Sequence, residues 1–330
     1  MSILITGGTG YIGSHTCVEF IEKGFDPVVM DNLCNSRAEV IDHVASITGV
    51  RPKFYKADLL DPAALERIFT ENDIDTVIHF AGLKAVGESV EKPLEYYRNN
   101  IVGTLNLLDA MRAHNCFKIV FSSSATVYGK PKSVPIKEDF PLSTTNPYGT
   151  TKLYIERILT DLCYADNRFS AALLRYFNPI GAHESGLIGD NPNGIPNNLM
   201  PYITRVAKGV LPHLNVFGND YETHDGTGVR DYIHVLDLAA GHYSALKCLE
   251  EPGVHIYNLG TGQGYSVLDI INAFERVNGV KIPYIIAPRR AGDIAECYAD
   301  ATKAEFELGW KATRGLDEMC KSAWEFEKKH

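Results

Sequence analysis

No apolar run in this 330-residue chain approaches the roughly 18 residues that a membrane-crossing helix needs, so no membrane span is expected. No basic segment followed by an apolar stretch opens the chain. It begins at once with a strand-like run, and no signal peptide is expected. The net charge is −9 and no basic patch is evident, Lys328 and Lys329 being only a frayed end, so a nucleic-acid partner is not expected. Cysteine is sparse and scattered: Cys17, Cys34, Cys116, Cys163, Cys248, Cys297 and Cys320 include no Cys-x-x-Cys. An odd, dispersed set reads as reduced thiols in a cytoplasmic protein. The eleven histidines include no His-Glu-x-x-His, and neither a structural nor a catalytic metal is expected. Low-complexity segments and internal repeats are lacking too, which leaves an ordinary globular chain of one large domain or two.

What is there begins at the N-terminus. The β-prone run Ser2 to Thr6 leads into Gly7-Gly8-Thr9-Gly10-Tyr11-Ile12-Gly13, then a helical pattern to about Lys23, then a second apolar run ending in Asp31-Asn32. Strand, glycine turn, helix, strand and acid in that order suit a dinucleotide. The glycines let backbone approach a pyrophosphate at a helix N-terminus, where unpaired N–H groups point at the anion. Asp31 lies 18 residues beyond Gly13 and suits adenosine ribose hydroxyls; its charge disfavours a 2′-phosphate, so NAD is expected rather than NADP. Arg37 tempers that preference, because a nearby guanidinium could neutralise a phosphate.

The alternation continues through strands near 53–56, 75–80, 117–121 and 170–178, with helices between them. This is the pattern of a doubly wound parallel sheet. Ligands lie at the carboxyl ends of such strands, which gathers Asp58, Phe80, Ala81, Gly82 and Lys84 near one crevice. His79, inside a strand, reads as a satisfied core histidine. Leu94, Tyr97, Ile101, Leu105, Leu108 and Met111 form one helical apolar stripe after Pro93. A loop rich in Gly, Asn and Pro runs from 181 to 198, and long loops in compact domains are usually functional. The expected division is residues 1–178 and 179–330, with some later elements returning to the first sheet.

Tyr148 and Lys152 lie four residues apart on a helix expected from about Pro147 to Asp166, and so share a face. A free tyrosine titrates near ~10 and is a poor base at neutral pH; an ammonium beside it favours the phenolate. Tyr128 and Lys132 repeat the spacing, but Gly129 and Pro131 between them preclude one helix.

Thr6-Gly7-Gly8-Thr9-Gly10-Tyr11-Ile12-Gly13, with Ser124 and Tyr148-x-x-x-Lys152, resembles the extended short-chain dehydrogenases/reductases. His79 to Ser89, Ser122 to Gly129, Leu174 to Pro179, Gly194 to Pro201 and Gly228 to Val235 resemble the UDP-galactose 4-epimerases within them, in order along essentially the whole chain. The resemblance implies a Rossmann-type α/β fold with a smaller mixed α/β C-terminal substrate domain, a tightly held NAD regenerated in each turnover, a UDP-hexose substrate, and a homodimer built on the Leu94–Met111 and Tyr148 helices. It implies cofactor contacts at Gly7, Gly10, Tyr11, Ile12 and Gly13 for the pyrophosphate, and at Asp31, Asn32, Asn35 and Ser36 for the ribose. Asp58 and Leu59 would flank the adenine; Phe80, Ala81, Gly82, Lys84, Asn99 and Ser122 would line the rest. Tyr148, Lys152 and Phe177 would surround the nicotinamide. Asn178, Asn198, Leu199, Phe217, Arg230, Arg290 and Asp293 correspond to the sugar-nucleotide side, where two arginines suit a diphosphate.

The implied chemistry is oxidation at sugar C4, rotation of the keto sugar and reduction from its other face, with Tyr148 as base and acid and Ser124 on the same oxygen. A sister reaction, 4,6-dehydration, requires acids just after the catalytic serine, where this chain has Ala125 and Thr126. A non-catalytic NAD-binding sensor would have no use for Ser124, Tyr148 and Lys152 together. Cys297 stands where some of these epimerases carry a tyrosine at the wall of the sugar pocket. The smaller side chain implies room for a 2-acetamido group, unless the register slips and Tyr298 fills the place.

Overall fold

The computed structural model describes residues 2–290 and 292–330. Six strands alternate with helices along the first half: β1 (Ser2–Thr6), β2 (Asp26–Asp31), β3 (Lys53–Lys56), β4 (Ile74–His79), β5 (Lys118–Ser124) and β6 (Ser170–Tyr176). Then come β7 (Asn178–Ile180), β8 (Leu214–Phe217) and β9 (Val229–His234), before β10 (Gly253–Leu259) pairs in parallel with β6. The larger sheet runs β10-β6-β5-β4-β1-β2-β3, with every pairing parallel. The strand order reverses between β1 and β4, and there the loops at the carboxyl ends diverge to leave a crevice.

Both faces of this sheet are covered, as an all-parallel sheet requires. Ile3 and Ile5 join one core cluster with Val18, Phe20 and Leu238; Leu4 between them joins the other, with Leu65, Leu107 and Leu159. His79 is the expected core histidine. Its ring nitrogens lie 2.7 Å from the Thr6 hydroxyl and 2.9 Å from that of Thr104, and burial lowers its pKa to about 3, so it stays neutral.

The second unit has its own core around Met200, Ile203, Ile271 and Phe274. β9 carries β7 and, on the way to the C-terminus, β11 (Gly264–Ser266) and β13 (Glu296–Cys297); β8 pairs with β12 (Tyr284–Ala287). The short strands β7, β11 and β13 escape a reading by periodicity, because two or three residues carry no period.

The Leu94–Met111 stripe does not lie on one face. The segment divides into an α-turn at Pro93–Tyr97, a π-turn at Arg98–Val102 and a helix at Gly103–Ala113. The wider turn rotates the helix after it, so Leu108 and Met111 are core while Leu94 and Leu105 are exposed. Tyr128, which repeats the Tyr148 spacing with Lys132, ends a 3-10 turn at Ala125–Tyr128, and Gly129 next to it has φ 58.

A buried polar network joins the Tyr148 helix (Pro147–Ala165) to three strands. Glu156 accepts from Arg175 Nε and Nη2 at 2.9 and 2.6 Å and from the Ser123 hydroxyl at 2.5 Å. Arg175 also donates to the Tyr128 hydroxyl and the Glu138 carbonyl, both at 3.0 Å, and Tyr128 donates to Asn258 at 2.7 Å. Removing one partner of a buried pair strands the other charge. Arg175→Met is expected to lose about 3–5 kcal/mol of stability in urea unfolding; a loss under about 1 kcal/mol would show that the network does not hold the helix in place.

Candidate active site

At the head of the crevice, Gly7 has φ 70, and a Cβ there would stand 2.8 Å from the Ala81 nitrogen. A Cβ on Gly13 would stand 2.3 Å from the Gly7 carbonyl oxygen. Turn, helix and the β4 loop therefore close on one another only with glycine at both positions. Gly10 differs: its Cβ would meet only the Gly7 oxygen, at 3.1 Å, so space lies open above it. The helix Tyr11–Glu22 starts there with no side-chain cap and no acid in its first turn. Its first N–H groups have no intrahelical partner and face that space. Backbone N–H groups over a cradle that a Cβ would fill fit a pyrophosphate. The Tyr11 side chain takes no part: it turns away and donates to the Gly181 carbonyl at 2.6 Å, leaving its backbone for a ligand.

The acidic end lies just past β2. Asp31 accepts from Leu33 N at 2.8 Å, the Ser36 hydroxyl at 3.0 Å and Thr9 N at 3.2 Å. Asn32 donates to Asp58 at 2.9 Å, which joins the ends of β2 and β3. Asn35 is exposed beside them. Leu59 is buried against Gly103, so its side chain belongs to the core. After β4, Ala81 N donates to the Thr6 hydroxyl at 3.3 Å. Phe80 lies 4.7 Å from His242, centroid to centroid, and Lys84 is exposed. The π-turn presents Asn99 and Asn100. Asn100 exchanges hydrogen bonds with the Leu83 backbone at 2.8 and 3.0 Å and reaches Thr151 at 3.0 Å, so it fixes the β4 loop to the Tyr148 helix. Asn100 carried no signal in sequence, since only the π-turn aims it.

The Tyr148 helix starts under an Asn146 cap, whose side chain accepts from Gly149 N at 2.8 Å. One turn on, Lys152 is buried, with Nζ donating to the Ser122 carbonyl at 2.6 Å and lying 4.8 Å over the Phe121 ring and 6.0 Å over that of Tyr148. The Ser122 hydroxyl pairs with Tyr176. Ser124 accepts from Thr126 N at 3.2 Å. The expected lowering of the phenol by the ammonium is not what governs this site. Burial raises the Tyr148 pKa above the ordinary range, and the hydrogen bond with Ser124 is what opposes it. Burial lowers Lys152 to about 8, against which the Glu156 carboxylate works. Glu156 was missed in sequence, though its spacing from Lys152 repeats that from Tyr148 to Lys152 on the same face.

Beyond β6 the chain brings the sugar-nucleotide candidates to the other side. Ser124 pairs in register with Tyr176, so buried Phe177 and exposed Asn178 come directly beside the Ser124 end of β5. Asn198 donates to Asp190 at 3.1 Å just before the helix that begins at Leu199. Arg290 lies 4.9 Å over the Phe217 ring and donates to Asp293 at 2.9 Å. Arg230 uses Nη1 on the carbonyls of Val229 and Ile294, at 2.8 and 3.0 Å. Cys297 pairs with Arg230 in register and packs on the cluster containing Phe177 and Val127. The next side chain, Tyr298, turns to the opposite face: a Cβ on Gly264 would meet its ring at 3.0 Å. His224, Asp225 and Asp269 form a cluster outside the site that the histidine spacing did not reveal; both carboxylates already accept from Ser266.

Strand order, glycine turn and the Tyr148–Lys152 helix define an extended short-chain dehydrogenase/reductase. The model of the GDP-mannose 4,6 dehydratase family matches residues 4–323. A UDP-glucose 4-epimerase of Bacillus subtilis (strain 168) is 62% identical over 99% of this chain and 97% of its own length. The UDP-glucose 4-epimerase of Bifidobacterium longum, solved in complex with NAD+ and UDP, superposes with a TM-score of 0.97 at 56% identity, covering 100% of this chain and 98% of that one. The UDP-Glc/GlcNAc 4-epimerase of Campylobacter jejuni gives a TM-score of 0.87 at 38% identity, covering 100% and 99%. The chain belongs to the UDP-glucose 4-epimerase family.

The Lys152 shift has a consequence for stability. Its folded pKa of about 8 lies below the ordinary lysine value of 10.5, so between those limits the unfolded chain binds more protons and stability rises with pH. Below pH 8 the penalty of burying the ammonium is fully present. Lys152→Met removes it. The stability advantage of the variant over wild type is expected to shrink by about 3 kcal/mol between pH 7 and pH 10.5 in denaturant titrations. A constant difference would place the ammonium in a solvated environment.

Proposed function

We propose that this chain interconverts UDP-galactose and UDP-glucose by epimerisation at C4, with NAD held at the glycine turn and Asp31. The observation that carries this reading is the convergence of Ser124, Tyr148 and buried Lys152 at the carboxyl end of β5, between an anion cradle and a second side that holds two arginines. The relatives' names and bound ligands point the same way.

Bound NAD would supply an acceptor and donor for the hydride of sugar C4 and a cationic ring that favours a nearby phenolate. Gly7, Gly10, Gly13 and the N–H groups of Tyr11 and Ile12 would cradle its pyrophosphate. Asp31, Asn32, Asn35 and Ser36 would take one ribose, with Asp58 and the Leu59 backbone at the adenine. Phe80, Ala81, Gly82, Lys84, Asn99, Ser122 and Phe177 would enclose the remainder. Tyr148 takes the proton from the 4-hydroxyl and later returns it, and Ser124 hydrogen-bonds the same oxygen. Burial keeps the phenol neutral even with Lys152 in place, so its ionisation would need further positive charge, which the bound cofactor would supply. A base that is an acid at rest suits a reaction that must run both ways.

Residues 179–330 supply most of the sugar-nucleotide side. Arg230 and Arg290 hold the diphosphate, Phe217 and Asp293 the nucleoside, and Asn178, Asn198 and Leu199 the middle of the ligand. These contacts keep the 4-keto sugar attached while it turns its other face. Ala125 and Thr126 in place of acids disfavour 4,6-dehydration, in spite of the dehydratase family model. The intact Tyr148–Lys152 pair disfavours a sensor without catalysis. The seven cysteines are free, which suits the reducing cytoplasm.

The proposal extends to a second substrate pair and to an assembly. Cys297 faces the Phe177 cluster while Tyr298 faces away, so the small side chain leaves space for a 2-acetamido group, and UDP-GlcNAc and UDP-GalNAc are also interconverted. The assembly is a homodimer. Val90, Leu94, Val102, Leu105 and Tyr154 are all at least 41% exposed, and Tyr97 stacks on Tyr154 at 6.5 Å, joining the two helical segments into one apolar patch.

Purified protein given UDP-galactose without added NAD is expected to form UDP-glucose, read by NMR. A 4-keto-6-deoxy product would identify a dehydratase, and no reaction would leave a binding protein. Cys297→Tyr is expected to keep this activity and to lose at least about tenfold on UDP-GalNAc; equal activities on both would remove the pocket argument. Light scattering should give a dimer, and Leu94→Glu with Tyr154→Glu a monomer. A monomeric wild type would assign the patch another role.

A further inference from the structure

Tyr221 belongs to none of the contacts assigned above. It lies in the loop between β8 and β9, where its N–H donates to the Gly226 carbonyl at 3.0 Å. Its side chain is 7% exposed. The Arg289 guanidinium covers one face of the ring at 3.9 Å from the centroid and is itself fastened to Asp220 at 2.6 Å. The ring passes so close to Gly218 that a Cβ there would stand 2.6 Å from it. The ring therefore has one place, directly after Phe217, and its hydroxyl has little freedom.

That hydroxyl is buried and has no hydrogen-bond partner among the described residues. A buried donor left unpaired costs free energy, and native structures rarely tolerate one without a reason. The charged groups that act on it are Asp293, Arg289, Arg230 and Arg290. Guanidinium groups only donate, so none of the three arginines can accept from the phenol. The Asp293 carboxylate is turned to Arg290 and makes no hydrogen bond with the phenol. What would satisfy the phenol is an acceptor, and beside Arg230, which has no carboxylate partner among the described residues, and Arg290, which shares only Asp293, an anion would be held. A phosphate oxygen is both.

We propose that the Tyr221 hydroxyl is a further ligand for the nucleotide diphosphate, donating to a phosphate oxygen held between Arg230 and Arg290. This rests on the reading of the site as one for a nucleoside diphosphate sugar. The described residues offer the hydroxyl no acceptor, so its contribution is expected to fall on binding. Arg289 has a part only as the plate that holds the ring.

The test is Tyr221→Phe in the full-length protein with its cofactor, titrated by calorimetry with UDP and separately with uridine. The ring and its packing remain, and only the oxygen is lost. The Kd for UDP is expected to rise about tenfold to a hundredfold, the range for a hydrogen bond to a charged group, while the Kd for uridine stays the same. The ligand-free Tm is expected to stay or to rise, because an unsatisfied buried group has been removed. Unchanged UDP affinity overturns the proposal. Equal weakening toward UDP and uridine also overturns it, because the hydroxyl then serves the nucleoside or the loop. A fall in ligand-free Tm with unchanged binding assigns the oxygen a structural role and overturns it too. Wild type that binds no UDP at all overturns the underlying reading of the site, which separates that failure from the others.

Discussion

The buried pair between Glu156 and Arg175 is the constraint on which the active side of this molecule depends. Each charge is nearly inaccessible, and each is tolerable only because the other is there. The pair locks the rotation and height of the Tyr148 helix against β6, and Ser123 extends the lock to β5. With those three elements immobile, Ser122, Ser124, Tyr148 and Lys152 have fixed relations. The Lys152 ammonium can then be buried on a single backbone carbonyl because its surroundings cannot relax away from it. The same network reaches Asn258 on β10, so a strand that arrives late in the chain helps to hold the Tyr148 helix.

Around that rigid centre the candidate ligand-binding groups are of two physical kinds. The glycine turn offers backbone N–H groups at a helix start, brought close by positions that admit no Cβ. The opposite side offers guanidinium groups on β9 and on the segment after β12, partly tied to carbonyls and to Asp293 and so pre-aimed. In the proposed function, fixed dipoles at one end and fixed cations at the other would hold two anionic ligands end to end, with the phenol between them. Tyr11 links the two sides: its backbone begins the anion cradle while its hydroxyl grips the Gly181 carbonyl at the start of the second unit.

Much of this was legible in the sequence. Repeated strand and helix patterns announced the parallel sheet, because strands buried on both faces must be almost wholly apolar. The glycine turn was legible because only glycine satisfies its close approaches. His79 could be read as a core histidine because it sits inside such a strand. The Leu94–Met111 stripe could not be read correctly: a π-turn changes the phase of everything after it, and periodicity assumes one constant phase. The electrostatic reading of Tyr148 and Lys152 also needed revision. Spacing brings a phenol and an ammonium to one face, but burial acts on each of them more strongly than they act on each other.

By itself the sequence determined the class of fold, the glycine turn, and the candidates for a base, a lysine partner and two arginines, since these come from local patterns or from motifs in a set order. Only the tertiary structure decided which atoms those side chains face. It turned Tyr11 away from the cradle and sent Lys152 to Ser122. It placed Cys297 rather than Tyr298 beside Phe177, and left the Tyr221 hydroxyl without a hydrogen-bond partner among the described residues. The reason is physical. A side chain's partner depends on elements that are distant in the chain and meet only when the sheet closes, and burial, which sets the charge a group can carry, exists only after they have met.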